Sequence, residues 1–381
     1  MLATLRKIAP NLHFACTIVL AILAVPAIQR LHLPSHVDWR GNLPFYWLAL
    51  GSQSLLYAMA FCGLAFPWRD SLGLFLARYR KQKLRILFAA VFLLLLCRVL
   101  PLTAAILSAA KTLFVIELAE RSKSEGVSFF RRAIQVFVPA AYMFAGLTLV
   151  VVYNDIIVAD RFPLSYDGFL LRADALILAG RSVSSIAHAL WAILPPRCLI
   201  FLDYVYFQMF AVVGAGLLVS AYASYKRGMQ FVGACLTAYY MALLIFFLWP
   251  SYGPYVYCSA HAAQLPAYLT TYGFQTSGMR SLLAISQHKS RYLGSGYYIA
   301  FPALHVGLPV ITMWMMRGWR PVFWLLAVYN LIVILAIVTL EWHYATDLFG
   351  GAAVGMLALA IMAGDSGPSE AHQDSASATL N

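Results

Sequence analysis

Residues 300–363 read AFPALHVGLPVITMWMMRGWRPVFWLLAVYNLIVILAIVTLEWHYATDLFGGAAVGMLALAIMA. Three apolar runs, 300–316, 321–340 and 346–363, are separated only by a turn carrying Arg317 and Arg320 and by a polar junction from Glu341 to Asp347. A bilayer core of about 30 Å takes about 20 helical residues, and lipid offers no partner to unpaired backbone groups, each of which costs several kcal/mol there. The stretch therefore predicts helices that cross back and forth, with the arginine turn at one face and the Glu341 to Asp347 junction at the other. An all-α, polytopic membrane fold follows.

The rest of the chain agrees. Of 381 residues, 62% are hydrophobic and 11% are Asp, Glu, Lys or Arg, against about 45–50% and 25% in soluble domains. Such a chain cannot coat itself with solvated charge, so a soluble protein is excluded. Further apolar stretches lie near 12–31, 43–66, 84–110, 134–158, 198–222 and 229–249. The first is read as a retained helix, because Pro26 and Gln29-Arg30 and the lack of a small-residue cleavage site do not suit a signal peptide. Arg98 and Pro101 interrupt 84–118, which suits a re-entrant or interfacial hairpin better than a clean span. Three units result: residues 1–132, N-terminal hydrophobic helices of unknown role; 133–364, a six-helix membrane core; and 365–381, a polar tail expected to be disordered.

The net charge of +12 sits mostly in short runs between apolar segments, and so reads as a topology signal and implies no nucleic-acid partner. Basic loops at Arg69 to Arg85, Lys226-Arg227 and Arg317/Arg320 are expected in the cytoplasm, which puts 159–197, 250–300 and 341–347 on the opposite face. Residues 160–195 predict two short helices, one broken at Gly180 and the next opening at Ser182 to Ser185 and stopped by Pro195-Pro196. Asp160, Asp167 and Asp174 recur every seven residues opposite Phe169, Leu170, Leu176 and Ile177, the pattern of an amphipathic helix lying in the interface. The aspartates read as a solvated acidic face, with a polyol headgroup site as the sharper alternative. Trp249-Pro250-Ser251-Tyr252-Gly253-Pro254-Tyr255 reads as a rigid interfacial turn, an anchor or part of a headgroup pocket. Four of the six cysteines lie in apolar runs, so no disulfide framework is expected. Cys258, His261 and His288 make a poor zinc pattern, and no metal or other cofactor is expected.

Imidazoles at membrane depth are costly and default to functional hypotheses. Two close or open helices at one face. His305 lies in Phe301-Pro302-Ala303-Leu304-His305, where Pro302 suits a first helical turn and the imidazole falls near an anion-attracting N-terminus. His343 is followed at i+4 by Asp347, so the carboxylate can hold one ring nitrogen and leave the other aimed as a nucleophile or base.

These motifs resemble the type 2 phosphatidic acid phosphatase superfamily of membrane phosphatases and phosphotransferases, whose second motif is Pro-Ser-x-His and whose third ends His-x-x-x-Asp. Pro302 to His305 and His343 to Asp347 match in order, with a helical hairpin between them. The wording Phe-Pro-x-Leu-His and His-Tyr-x-x-Asp-Leu-x-Gly-Gly looks most like the inositol phosphorylceramide synthase, or inositolphosphotransferase, branch, where a segment resembling Tyr166-Asp167-x-x-Leu170 to Asp174 also precedes the core helices. The resemblance covers roughly 133–363. It implies a metal-independent lipid phosphatase or headgroup phosphotransferase, with His343 as nucleophile, Asp347 orienting it and His305 protonating the leaving alcohol and later deprotonating the acceptor. Cations must surround the equatorial oxygens, and the candidates are Arg280, Lys289 and Arg291, of which Arg280 matches an arginine common in the branch.

Two departures stand out. Ala303 replaces the usual serine, and the Ser-Arg pair that precedes the third-motif histidine in the phosphatases falls at Ala336 and Ile337. The missing arginine leans toward headgroup transfer and also leaves room for a catalytically weak protein that keeps the fold to bind lipid or partners. Glu341 puts a negative charge two residues before His343 without an evident purpose. The expected substrate is a membrane lipid phosphate or phosphodiester, with an alcohol or polyol as a possible acceptor; the expected location is a bacterial inner membrane or another cell membrane, with the active site on the non-cytoplasmic face. Lipid identity, the choice of water or alcohol, and oligomeric state are not written in the sequence.

Overall fold

The computed structural model describes residues 12–24, 126–257, 265–287 and 298–362, together with residues 26, 54, 57, 58 and 122. The expectations for 43–66, 84–118 and the tail from 365 fall outside the described residues. Among the described residues the fold is helical and has no strand. The helices are α1 (Leu12–Ala24), α2 (Phe129–Arg161), α3 (Asp167–Ile177), α4 (Val183–Ile193), α5 (Pro196–Ala223), α6 (Tyr225–Leu248), α7 (Thr270–Ser286), α8 (Leu304–Met315), α9 (Arg320–Thr339) and α10 (Ala345–Met362). A single helical turn, Pro254–Tyr257, lies between α6 and α7.

Helices α2, α5, α6, α9 and α10 are each long and apolar enough to cross a membrane. With the shorter α8 they pack as a six-helix bundle in which α6 touches α2, α5, α8 and α10. Starts and stops follow local chemistry. Ser182 and Ser185 form a reciprocal capping box at α4, Pro196 opens α5, and Ser224 caps α6. Ala179 and Gly180 take left-handed φ values of +52° and +85° and end α3 as the glycine predicts.

At one end of the bundle lie Arg131, Arg132, Lys226, Arg227, Arg317 and Arg320. Arg227 donates to the Met315 carbonyl at the C-terminus of α8 (2.5 Å) and covers the Trp319 ring at 4.2 Å, so the cation both caps the helix and packs in an aromatic belt. The other end gathers α3, α4 and the loops that precede α7, α8 and α10.

Helix α8 has only 12 residues, about 18 Å at 1.5 Å per residue, so its first stretch enters the protein as extended chain. Contrary to expectation, Pro302 lies before the helix and outside its first turn, and Ala303 is the N-cap. Non-helical backbone at this depth needs partners, and it has them. Tyr298 N donates to Asn154 Oδ1, Ala300 N to the Ser251 carbonyl, Phe301 N to Ser251 Oγ and Ala303 N to the Asp347 carbonyl, all at 3.0–3.2 Å. The 249–255 turn is thus an anchor for the chain that leads into α8.

Helices α8 and α10 meet through glycine. A Cβ on Gly351 would stand 2.0 Å from the Ala303 carbonyl oxygen, and one on Gly355 would stand 2.6 Å from the Gly307 oxygen. The two backbones touch because no side chain intervenes, the general device for close helix packing where the hydrophobic effect gives no drive.

Candidate active site

His305 is the second residue of α8, His343 lies in the turn between α9 and α10, and Asp347 is the third residue of α10. The glycine contact brings the two helix N-termini together. All three side chains are buried, with 8%, 3% and 0% of their surface exposed. His343 Nδ1 lies 2.8 Å from the Ala300 carbonyl oxygen and 3.4 Å from Asp347 Oδ2. A carbonyl oxygen only accepts, so the proton sits on Nδ1 and Nε2 presents its lone pair. That Nε2 stands 3.1 Å from His305 Nδ1, which in the neutral pair is the donor.

The expected i, i+4 pairing is made, but from a different place. His343 precedes the helix, and its strongest contact is the Ala300 carbonyl, with Asp347 behind it. Asp347 Oδ2 also accepts from Tyr344 N at 2.9 Å, so one carboxylate oxygen steers both the imidazole and the turn that carries it.

Aromatic rings enclose His305. Tyr206 of α5 stacks on it with centroids 4.6 Å apart at 18°, and on its other side stacks on Trp342 at 5.1 Å and 8°, while Phe210 meets the imidazole edge-on at 5.5 Å. An imidazolium over an aromatic face is attracted by the ring quadrupole. At the start of α8 no side chain caps the helix, and among the described residues no acceptor meets the backbone N–H groups of Leu304 and His305. They and the helix dipole form an anion-binding end beside the imidazoles.

Three further aspartates are buried and each is tied to a distant loop; Asp167 and Asp174 stand in the sequence pattern described above, whereas nothing in the sequence marks Asp203. Asp167 accepts from Tyr252 N and Gly253 N (2.8–3.1 Å). Asp174 accepts from Ala345 N (3.0 Å), Thr346 N (2.9 Å) and the Thr346 hydroxyl (2.8 Å). Asp203 accepts from Thr270 N (2.7 Å), Thr271 N (3.0 Å) and the Thr271 hydroxyl (2.6 Å). Each carboxylate thus caps, from another helix, a pair of adjacent backbone donors, and hydrogen bonds to a charged group contribute about 1.5–3 kcal/mol apiece. The expected solvated acidic face is therefore corrected. Asp167 and Asp174 point inward, and Phe169, Leu176 and Ile177 face out, because beside a bilayer the apolar face is the outer one; Leu170 is buried with the aspartates. Asp160 belongs to α2, where it is exposed beside Arg161 (3.3 Å). Burial pushes the Asp167 carboxyl above its ordinary value, against hydrogen bonds from Ser165, the Tyr252 and Gly253 amides and the Tyr344 hydroxyl.

Of the expected phosphate cations, Lys289 and Arg291 lie outside the described residues. Arg280 is exposed. It lies on the face of α7 opposite the buried stripe of Thr271, Gln275 and Leu282, through which Gln275 Nε2 reaches the Leu340 carbonyl (2.8 Å) and Thr271 Oγ1 receives Trp342 Nε1 (3.2 Å). The structure brings together His305, His343 and Asp347, and leaves Arg280 outside that group. Ala336 and Ile337 are fully buried among Leu199, Leu202, Val333 and Leu340, so the positions of the missing Ser-Arg pair are filled by packed apolar core. Glu341 is buried in the turn with a left-handed φ of +55°.

Residues 179–361 match the family model of the PAP2 superfamily. The PAP2 match begins just before the α4 cap and ends within α10, so it contains both histidines and Asp347 and leaves α2 and α3 outside. PAP2 superfamily members are generally phosphatases or phosphotransferases, and their fold is a helical membrane fold, as here. Neither the curated proteins nor the solved structures contain a significant match.

Proposed function

We propose that this protein is an integral-membrane enzyme that moves a phosphoryl or phosphodiester group from a lipid headgroup through a phosphohistidine on His343. The observation that carries the reading is the buried imidazole pair, with the proton of His343 fixed on Nδ1 by the Ala300 carbonyl and Asp347. Nε2 then supplies the electron pair that forms the N–P bond. The P–O bond to the leaving alcohol breaks, and His305, which enters the step as an imidazolium, gives one proton to the departing oxygen and is left as neutral imidazole. In the second half, His305 takes a proton from water or an alcohol, whose oxygen forms the new P–O bond as the N–P bond breaks. Reacting atoms approach at about 3–3.5 Å, so phosphorus must enter between the two imidazoles and part them. The Leu304 and His305 amides are aimed at its oxygens, where preorganised donors are worth most. Lys289 and Arg291 are the cations we assign to the remaining charge, with Arg280 in an outer role.

Headgroup transfer of the inositolphosphotransferase kind is the finer reading, from the Phe301-Pro302-x-Leu304-His305 and His343-Tyr344-x-x-Asp347 wording and from the apolar filling at Ile337. We assign the active end to the non-cytoplasmic face because the basic turns at Lys226-Arg227 and Arg317/Arg320, which have no carboxylate nearby in the sequence, read as cytoplasmic. The test is to incubate purified protein with labelled lipid phosphates and phosphodiesters, with and without polyol or lipid-alcohol acceptors, and to identify the products and any acid-labile, base-stable phosphoprotein. Label on the protein that disappears in His343→Ala supports the reading. Intact lipid in every mixture would favour the alternative, a lipid-binding protein that keeps the fold, to which Ala303 and Ile337 point.

A further inference from the structure

The turn that carries His343 is held from outside its own hairpin. Asp347 secures Tyr344 N, and the next two amides, Ala345 and Thr346, are secured by Asp174 of α3, which also accepts from the Thr346 hydroxyl. Asp174 has no exposed surface. The two carboxylates between them hold three consecutive backbone donors at the N-terminus of α10, directly after the nucleophile. Nothing in α9 or α10 replaces the Asp174 contacts. Without them the buried Ala345 amide and the half-buried Thr346 amide lose their acceptor, and the least costly remedy is for the first turn of α10 to unwind or tilt, which moves His343 relative to the Ala300 carbonyl and His305.

We propose that Asp174 is a positioning residue for His343: by clamping the Ala345 and Thr346 amides from α3, it fixes the direction in which Nε2 points. The proposal rests on the phosphohistidine reading above. It predicts a specific pattern of loss. A tilt of the nucleophile weakens bond formation to phosphorus and leaves binding of the lipid, made elsewhere, nearly untouched. Displacements of about 1 Å cost on the order of 100-fold in rate. Asp174→Ala should therefore lower kcat about 100-fold with KM within about twofold. Asp174→Asn keeps one acceptor oxygen and offers its amide to the Thr346 hydroxyl, so it should retain more of the rate, about a tenth of the wild-type value.

Orthovanadate provides a readout that needs neither turnover nor a leaving group, since it becomes five-coordinate by accepting a nitrogen lone pair where phosphorus would. Calorimetric titration of the full chain in detergent should show vanadate affinity falling at least tenfold in Asp174→Ala, less in Asp174→Asn, and not at all in Leu176→Ser, which alters the 87% exposed outer face of α3 without touching the clamp. If Asp174→Ala does not fold, Asp174→Asn decides the matter by the same measurements. Wild-type kcat and vanadate affinity in a folded Asp174 variant would overturn the proposal alone, and so would a loss confined to KM. A wild-type protein that binds no vanadate and turns over no lipid phosphate would overturn the phosphohistidine reading and this inference with it.

Discussion

His305 Nδ1 stands 3.1 Å from His343 Nε2, a contact that joins the start of α8 to the turn before α10 across the glycine seam of Gly307, Gly351 and Gly355. The two rings come from opposite ends of a helical hairpin, and neither helix supplies the other's orientation by itself. His343 is set by a carbonyl and a carboxylate, His305 by the stacked face of Tyr206. Two nitrogens with separate supports can part to admit a phosphorus centre and return.

The two imidazoles have different duties in this mechanism, so their variants should differ with the leaving group. His343→Ala should abolish turnover on every substrate. His305→Ala should lose about 10²–10⁴-fold on a lipid ester, the range for a general acid, but far less on a nitrophenyl ester, whose leaving group departs without a proton. EDTA should change neither the wild-type rate nor these ratios. Equal losses on both esters in His305→Ala would assign it a role other than proton donor.

The seam between α8 and α10 predicts a large effect from one methyl group. Gly351→Ala would place Cβ 2.0 Å from the Ala303 carbonyl oxygen, and main chain cannot yield as a side-chain tip does. Overpacking of this kind costs about 1–3 kcal/mol, and the separation it forces would also spread His305 from Asp347. Thermal unfolding in detergent should drop by several degrees, with activity falling further than stability. Gly318→Ala, with nothing within 4 Å of the added Cβ, should be neutral in both.

Much of this was legible in the sequence, for physical reasons that also mark where legibility ended. Apolar runs of about 20 residues have few options in lipid, so α2, α5, α6, α9 and α10 fall where hydropathy puts them. The His343 to Asp347 spacing identified its pair because four residues span one turn whether or not the first is helical. The aspartates were misassigned because a seven-residue recurrence names a shared face without saying which way it points. Asp203 carries no local signal, since its partners Thr270 and Thr271 are 67 and 68 residues away. The stack of His305, Tyr206 and Trp342 is likewise a product of tertiary packing, with no periodicity to announce it.

Asp167 lies on the short helix α3, outside the spans, and its carboxyl is held above the ordinary range by burial. Between that range and the raised folded value, the native protein keeps a proton that the unfolded chain has released, so this group's contribution to stability falls as pH rises through the window. Asp167→Asn should remove that slope. Its amide oxygen can still take the Tyr252 and Gly253 amides that Oδ1 takes now (3.1 and 2.8 Å), while its NH2 replaces Oδ2, which now accepts from Tyr252 N (3.0 Å) and the Ser165 hydroxyl, so near neutrality the variant should lose about 1–3 kcal/mol. Urea unfolding across the acidic range would check this, and an unchanged pH slope in the variant would refute it.

The basic turns at Lys226-Arg227 and Arg317/Arg320, with no carboxylate nearby in the sequence, predict the orientation of the bundle. In a cysteine-free background, Tyr268→Cys at the site end, an exposed position, should react with an impermeant thiol reagent added to intact cells. Gly318→Cys, between Arg317 and Arg320, should react only after the membrane is opened. The reverse pattern would put the imidazole pair on the cytoplasmic side.

Ala303 offers the most direct test of whether the site is a working one. It is the N-cap of α8, its side chain caps nothing, and among the described residues no acceptor meets the His305 amide beside it. In Ala303→Ser the new oxygen can accept from that amide, as N-cap serines do for the second or third helical residue, at a gain of about 0.5–2 kcal/mol. Its proton then remains free to donate to a phosphate oxygen, an interaction that strengthens as charge develops in the transition state. A higher unfolding temperature and an equal or higher kcat are expected together. Ala303→Val, which adds bulk at this buried position without a hydroxyl, should gain neither. If the chain only binds lipid, Ala303→Ser should still gain stability by capping α8, while both it and wild type release no phosphate and exchange no headgroup. A serine variant that is more stable but slower than wild type would show instead that the phosphate needs the His305 amide for itself.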